Sequence, residues 1–196
     1  MASEGYAELF TRKGVQDEKI AVTGIPNFDD LKNIQNNVFP FHGYALAATS
    51  PLRETFRLDD RQAFIRKCSS IAGNRKLIFK LHPLENTQRA IREVYEHAPG
   101  ALVFAYGNIN QMIANAEVVI TQQSTCTFVA LALDKEVHTN LKVENLKQLM
   151  PIQNNSSSSQ HIAQICERVL HTSMEVLQAK RRQAQTRLKR RQAGFY

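Results

Sequence analysis

Six short apolar runs, separated by stretches with helical spacing, constrain the fold of this chain more than any other feature of its sequence. They occupy residues 19–23, 44–49, 76–81, 101–106, 118–121 and 137–141. Most of these runs lack polar–apolar alternation and are rich in Val, Ile, Leu, Phe and Ala. Such runs are typical of strands that are buried on both faces of a parallel sheet. The pattern therefore predicts a parallel sheet of about six strands.

The segments between these runs carry apolar residues at the spacing of amphipathic helices. One helix is predicted behind Asp59, a candidate N-cap, with its end at Gly73, and another is predicted to end near Gly100. Strands that alternate with helices form right-handed βαβ units and build a doubly wound sheet. We therefore expect an α/β, Rossmann-like fold with a doubly wound parallel sheet over residues 19–170.

The two ends of the chain lie outside this alternation of strands and helices. Residues 1–18 show little pattern and are interpreted as a lead-in or interdomain linker. One long C-terminal helix is predicted from Gln160, and its apolar stripe fades after Ala179. Residues 171–196 are therefore interpreted as a basic helical tail.

The composition limits the classes of protein to be considered. The chain has 196 residues, of which 43% are hydrophobic, and this suits one domain with an adequate core. It has no apolar run of about 18 residues, so no membrane-spanning helix is expected. Its start lacks the features of a signal peptide, and its three cysteines are widely spaced. These features predict a cytoplasmic protein with reduced thiols.

The net charge of +7 belongs to the tail. Seven of the 25 basic residues lie between Lys180 and Arg191, and the remaining basic residues equal the 18 acidic residues in number. The cations surround the helix, with Leu188 as the sizeable apolar residue among them, so an inserting amphipathic helix is not expected. The tail is interpreted as a solvated helix end, or as a segment attracted to an anionic membrane surface. Nonspecific nucleic-acid binding is the least favoured alternative.

Two polar motifs follow predicted strands at the edge where open α/β sheets bind ligands: His82-Pro83 and Ser124-Thr125. An imidazole at a strand tip can donate a hydrogen bond to a phosphate, and a helix N-terminus has free N–H groups that favour anions. Thr121 supplies a further polar group on the approach to that helix. The alternatives are an ordinary surface histidine and an ordinary helix cap. The shared position at the carboxyl edge makes nucleotide binding the leading hypothesis.

Gly24 opens the turn G-I-P-N-F-D after the first predicted strand. It is interpreted either as part of a structural turn or as part of a loop that lines a cleft. The turn lacks the G-x-G-x-x-G pattern, so it is not a dinucleotide-binding fingerprint. The acid pairs Asp29-Asp30 and Asp59-Asp60 are interpreted as exposed capping residues. Neither a convincing catalytic pair nor a metal-binding Cys/His spacing is found, so catalytic residues stay unknown and no metal or cofactor is predicted.

Several motifs, taken in order, resemble the C-terminal half of GT-B-fold enzymes. They are V-T-G-I-P-N-F-D at 22–29, K-L-H-P-L-E at 80–85, A-E-V-V-I-T at 116–121, S-T-C at 124–126 and A-L-A-L-D-K-E-V at 130–137. The similarity is to the UDP-GlcNAc 2-epimerase-like, CDP-glycerol glycerophosphotransferase-like and polysialyltransferase-like group. It extends over roughly residues 5–170. The resemblance rests on the order and spacing of these motifs.

The resemblance implies a donor-nucleotide-binding domain in surface glycan synthesis. By this resemblance, His82, Ser124 and Thr125 would hold the phosphates of a nucleotide-activated donor, and Gly24 would border the interdomain cleft. The chemistry implied is transfer of a glycosyl or glycerophosphoryl group. Phe128 and Val129 stand where the epimerase pattern has acids that meet the ribose and the sugar. Epimerase activity is therefore not expected, and the case for a UDP-type donor is weaker.

The length of the chain suits one of the two domains of a GT-B enzyme. The resemblance therefore implies an N-terminal GT-B half, or a partner chain, that supplies the acceptor site and usually the base. The domain alone is expected to bind a nucleotide without being active. Two alternatives are a non-catalytic Rossmann-like interaction domain that has lost donor binding, and an adaptor that binds membrane or nucleic acid through its basic tail.

Overall fold

The computed structural model describes residues 1–193, without the side chains of residues 184 and 187–193. Its contacts divide the chain into two units: a central unit of residues 30–150, and a terminal unit formed by residues 1–29 together with the segment from Pro151 onward. In chain order the helices and strands are α1 Glu4–Arg12, β1 Tyr44–Ala48, α2 Arg61–Ala72, β2 Leu77–Lys80, α3 Thr87–His97, β3 Leu102–Phe104, α4 Ile109–Asn115, β4 Ala116–Thr121, α5 Cys126–Ala132, β5 Glu136–His138, α6 Val143–Gln148, α7 Ser158–Leu170 and α8 Met174–Ala193.

The central unit contains one parallel sheet with the strand order β3-β2-β1-β4-β5. All five residues of β1 are buried, as are all four of β2, which agrees with continuous apolar runs covered on both faces. The predicted α/β, Rossmann-like fold is therefore confirmed, with five strands among the described residues instead of about six.

The strand predicted at 19–23 is wrong. A short 3-10 helix occupies Asp17–Lys19, and residues 20–25 belong to no strand or helix. The backbone N–H groups of Thr23 and Gly24 both donate to the carbonyl of Met1 at 3.1 Å. These two donors therefore find their hydrogen-bond acceptor at the N-terminus and not in a neighbouring strand. Lys19 and Ala21 are exposed and only Thr23 is buried, so this run lacks the burial that an apolar run predicts.

The helices on one face of the sheet enclose the core. α2 and α3 pack their apolar faces against β1, β2 and β4, and fully buried members of this cluster include Ile65, Cys68 and Phe79. The side chains of Ile65 and Phe79 each contribute about 1.5–3 kcal/mol through this burial. On the other side, the fully buried Tyr44 donates from its hydroxyl to the carbonyl of Met112 at 2.6 Å, which joins β1 to α4.

One prediction at the ends of α2 is wrong and the other is confirmed. The N-cap of α2 is Asp60, which accepts from the N–H of Ala63 at 2.9 Å, and not Asp59. Gly73 does end that helix, with a φ of +57°. The segment 1–18, predicted to be a lead-in or linker, contains α1.

The long C-terminal helix is broken into α7 and α8 at residues 171–173. Lys180, Arg181 and Arg182 are exposed on α8. The side chains of Arg187, Lys189, Arg190 and Arg191 lie outside the described residues, as do residues 194–196. Within the described chain, no helix has both the length and the apolar character needed to cross a bilayer.

Candidate functional site

The carboxyl ends of β1 and β4 form the switch point of the sheet. From β1 the chain proceeds outward through β2 to β3, and it then returns to the other side of β1 as β4. In open α/β sheets, ligands bind in the crevice outside the strand ends at such a point. His82, Thr121, Ser124 and Thr125 all lie at or just beyond this carboxyl edge, so the topology brings these four predicted residues to one side of the central unit.

The end of β1 is fastened to both of its neighbours. The Thr49 hydroxyl accepts from the His82 N–H at 3.1 Å, and the same N–H donates to the Glu85 carboxylate at 2.7 Å. On the other side, the Ser50 hydroxyl donates to the Gln123 carbonyl at 3.4 Å. The tips of β2, β1 and β4 are therefore held in fixed positions relative to one another.

A buried ionic network lies under this edge. Arg61 is 5% exposed, and it pairs with Glu85 and, at 3.1 Å, with Asp59. Asp59 also accepts from the Gln122 amide at 3.0 Å. The prediction that Asp59 is an exposed turn residue is therefore wrong, because its carboxylate is fully buried beside Arg61.

The network continues outward through a bidentate pair between Arg53 and Glu93, with distances of 2.7 and 2.6 Å. The hydrogen bond from Arg53 lowers the pKa of Glu93, although burial opposes the shift. Bidentate guanidinium–carboxylate pairs fix geometry as well as charge. The loop between β1 and α2 is thereby fixed to α3.

His82 is half-buried at the tip of β2. Its Nδ1 accepts from the N–H of Leu84 at 3.2 Å, so in the neutral ring Nε2 carries the proton and is a donor. The ring borders a pocket of about 250 Å³ between the ends of β2 and β3, which we call the β2–β3 pocket. Its lining residues are Lys80, His82, Pro83, Thr87, Ala105, Tyr106 and Gly107.

The Ser124-Thr125 turn precedes α5 on the other side of β1. The Ser124 hydroxyl accepts from the N–H of Cys126 at 3.2 Å, and Thr125 is exposed. Thr121 is 2% exposed and shares a hydrogen bond of 2.9 Å with the Thr127 hydroxyl, so it braces strand against helix. α5 has seven residues, which makes its end a weak anion site by itself.

Arg57 was missed from the sequence, and it brings a cation to this turn. Its guanidinium donates to the Gln123 side-chain oxygen at 2.8 Å, one residue before Ser124. The guanidinium is exposed and therefore accessible to a ligand. The signal in the sequence was the charged stretch R-E-T-F-R-L-D-D at 53–60, which follows the end of β1 after a gap of four residues.

The helix behind the turn is apolar where the epimerase pattern has acids. Phe128 and Val129 are 8% and 4% exposed and belong to the core. These positions on α5 therefore present no carboxylate to a ribose or a sugar.

Gly24 belongs to the terminal unit and has a structural reason to be glycine there. Its φ is +79°, and a Cβ at this position would meet the Ser158 hydroxyl at 2.1 Å and the Asn154 side-chain nitrogen at 2.6 Å. Nearby, the buried Asp29 accepts from the backbone N–H of Ser158 at 2.9 Å and from its hydroxyl. Asp29 therefore holds the start of α7, and the prediction that it is exposed is wrong.

Metal binding finds no support in the described residues, where no group of three His, Cys, Asp or Glu side chains is placed to hold an ion.

Comparison with known proteins identifies similar structures but no family. No family model and no curated protein matches the chain. One similar structure is the UDP-GlcNAc 2-epimerase of Methanocaldococcus jannaschii in complex with UDP-GlcNAc and UDP, with a TM-score of 0.52 and 17% identity over 83% of this chain. Another is the UDP-GlcNAc 2-epimerase of Neisseria meningitidis bound to UDP-GlcNAc, with a TM-score of 0.56 and 11% identity over 85% of this chain.

The chain spans only part of these proteins, since the matches cover 51% and 60% of the two epimerase chains. At such low identities the similarity shows the fold alone. It confirms the prediction of a GT-B-like domain at that level, while the choice among the groups within that fold stays a prediction. The chain therefore shares the fold of a portion of the UDP-GlcNAc 2-epimerases.

Proposed function

We propose that the central unit binds a nucleotide-activated sugar at the carboxyl edge of its sheet. Support comes from the switch-point topology, and from the two similar structures, which contain UDP-GlcNAc. The proposal assigns the phosphates to Arg57, Ser124 and Thr125 beside β4, with His82 at the tip of β2. Neighbouring strands are about 4.8 Å apart, so β2 and β4 are separated by roughly 10 Å, a span suited to an extended ligand.

The observation that carries this proposal is the position of Arg57. A guanidinium is always charged and matches the oxygens of a phosphate with its fork of donors. The hydrogen bond to Gln123, 66 residues away in the sequence, fixes this exposed cation to the residue that precedes Ser124. A charge and a hydroxyl at a switch point make a better phosphate site than the end of a seven-residue helix would alone.

For the whole protein, we propose transfer of a glycosyl or glycerophosphoryl group from the bound donor. The chain spans 51–60% of the length of the similar epimerase chains, so an N-terminal half or partner chain would supply the acceptor site. The part of the chain that the structure describes offers binding groups at the carboxyl edge, and Phe128 and Val129 supply no acid there.

A second candidate is a non-catalytic interaction domain. The apolar, buried Phe128 and Val129 favour it, because a hydrogen bond to a charged group contributes about 1.5–3 kcal/mol and is missing here. On this alternative the sheet edge would respond to no nucleotide, and a partner chain would be retained in a pull-down experiment.

Calorimetric titration with UDP-GlcNAc, UDP, CDP and GDP tests the first candidate against the second. We expect binding of at least one ligand, and a loss of about tenfold to a hundredfold on Arg57→Ala. Arg75→Ala is the matched control, because Arg75 is also exposed, and its partner Glu117 lies near the opposite end of β4. Absence of heat with all four ligands would reject nucleotide binding, and equal affinities of the two variants would reject the role of Arg57.

A further inference from the structure

Lys80 is a buried cation without a carboxylate partner. The side chain sits at the end of β2, and the residue is 7% exposed. Its ammonium group donates to the carbonyl of Leu81 at 2.7 Å and to the carbonyl of Ala105 at 3.0 Å. Among the ion pairs of the described residues, none includes Lys80.

Such a charge is costly unless something compensates it. Buried charges in proteins are generally paired, because removing an ammonium group from water costs several kcal/mol. Glu85 is the nearby acid, but it already accepts from Arg61, from Thr49 and from the His82 N–H. Burial lowers the pKa of Lys80, with Cys126 and Glu85 opposing the shift, which agrees with an incompletely compensated cation.

The β2–β3 pocket is where a compensating anion can sit. Lys80 lines this pocket, and an ammonium group has three donors, of which two are used by the carbonyls. Thr87, the first residue of the eleven-residue α3, also lines it, so the positive end of a helix borders the same space. Its volume of about 250 Å³ far exceeds the roughly 10–15 Å³ that a cavity needs to hold one water molecule.

We propose that the β2–β3 pocket is a binding subsite for a phosphate group, held by Lys80, by Thr87 with the start of α3, and by His82. This subsite lies at the ends of β2 and β3, whereas the Arg57–Ser124 turn follows β4 on the other side of β1. The phosphate belongs either to the proposed nucleotide donor, in which case the assignment rests on the proposed function, or to a separate phosphorylated molecule.

Thr87→Glu is the central variant for testing this subsite. A glutamate in the first turn of a helix is favourable for folding, and here its carboxylate would occupy the pocket as an internal anion. Gln88→Glu is the matched control, because it adds the same charge one residue later, at an exposed position that does not line the pocket. Lys80→Met removes the cation itself, and Lys67→Met, on the exposed side of α2, controls for the loss of one lysine.

The experiment measures the melting temperature and the calorimetric affinity with inorganic phosphate, at an ionic strength kept constant with NaCl. We expect phosphate to stabilise the wild type, Gln88→Glu and Lys67→Met. The affinity of Thr87→Glu and Lys80→Met should fall at least about tenfold. An unchanged phosphate response in Thr87→Glu, or no response of the wild type beyond that to NaCl, would overturn the subsite.

Titration with UDP separates the two sources of the phosphate. If Thr87→Glu weakens the binding of both UDP and inorganic phosphate, the subsite holds a phosphate of the nucleotide. If it weakens the binding of inorganic phosphate and leaves the affinity for UDP unchanged, the subsite binds a separate phosphorylated molecule. Binding of phosphate without binding of any nucleotide would reject the proposed function and uphold the subsite.

Discussion

Glu85 accepts a hydrogen bond from Arg61 beneath the carboxyl edge of the sheet, and the two side chains are only 2% and 5% exposed. Glu85 also accepts from the N–H of His82 and from the Thr49 hydroxyl. One carboxylate therefore connects the start of α2 to the tips of β1 and β2. The geometry of His82 depends on this buried pair.

Removing this carboxylate should be strongly destabilising. Glu85→Ala leaves Arg61 buried with one fewer anion, and loss of one partner of a buried pair costs about 3–5 kcal/mol. The matched control is Glu117→Ala, since Glu117 pairs with Arg75 at 2.7 Å while 57% exposed, and exposed pairs contribute at most about 1 kcal/mol. Urea unfolding of the two variants measures the difference. Similar losses of stability in both would contradict the role assigned to Glu85.

Gly24→Ala should also be strongly destabilising, for steric reasons. The φ of +79° disfavours any side chain, and the added methyl group would lie 2.1 Å from the Ser158 hydroxyl. The left-handed conformation costs about 1–2 kcal/mol and overpacking about 1–3 kcal/mol, so we expect a total of about 2–5 kcal/mol.

Gly14→Ala separates these two contributions. Gly14 has a φ of +91° in the same unit, and a Cβ there would meet no atom within 4 Å. We expect Gly14→Ala to lower the free energy of unfolding by only about 1–2 kcal/mol, because it incurs the cost of the left-handed backbone conformation without a steric clash. Chemical denaturation of both variants gives the comparison, and a loss for Gly14→Ala as large as that for Gly24→Ala would refute the steric account.

The sequence was sufficient for the sheet because buried parallel strands have a local signature. Five apolar runs became β1 to β5, whereas the run at 19–23 formed no strand, and its members Lys19 and Ala21 are exposed. Helix ends such as Gly73 were also predictable, because a left-handed residue after a helix favours glycine.

The candidate site was only partly predictable, because its polar contacts are long-range. Asp29 and Asp59 looked like turn acids, yet their partners include Ser158, 129 residues away, and Gln122, 63 residues away. Arg57 lies in a loop without periodicity, and its contact with Gln123 exists only after β1 and β4 have paired. Charge patterns in loops identify candidate residues, whereas tertiary structure selects their partners.

Cys68 should make the protein less stable in alkaline solution. Burial raises its pKa from 9.0 to about 12, so the folded protein keeps the proton that the unfolded chain releases above pH 9. Because the pKa is higher in the folded state, the contribution of Cys68 to the free energy of unfolding is complete below pH 9 and is lost between pH 9 and about 12. In that range the free energy of unfolding falls with a slope that approaches about 1.4 kcal/mol per pH unit. Urea midpoints of wild type and Cys68→Ala between pH 8 and 10.5 test this.

The difference between those two pH profiles isolates Cys68 from other groups. Burial raises the pKa of Tyr44, which acts in the same sense at higher pH, whereas the lowered pKa of Lys80 acts in the opposite sense. Tyr44 and Lys80 are both present in Cys68→Ala, so their contributions to the pH dependence of stability cancel when the two profiles are subtracted. Parallel profiles for the two proteins would contradict the assigned pKa.

The three thiols should react with an aromatic disulfide reagent in a fixed order. Cys166 is exposed on α7 and should react first, whereas Cys126 is half-buried, and burial raises its pKa and keeps it protonated. Cys68 is fully buried and should react only when the protein unfolds. We therefore expect one rapid equivalent, a slower second one, and a third that appears only in denaturant. Cys166→Ser should remove the rapid equivalent alone, and a rapid reaction that persists in this variant would contradict the burial of Cys68 and Cys126.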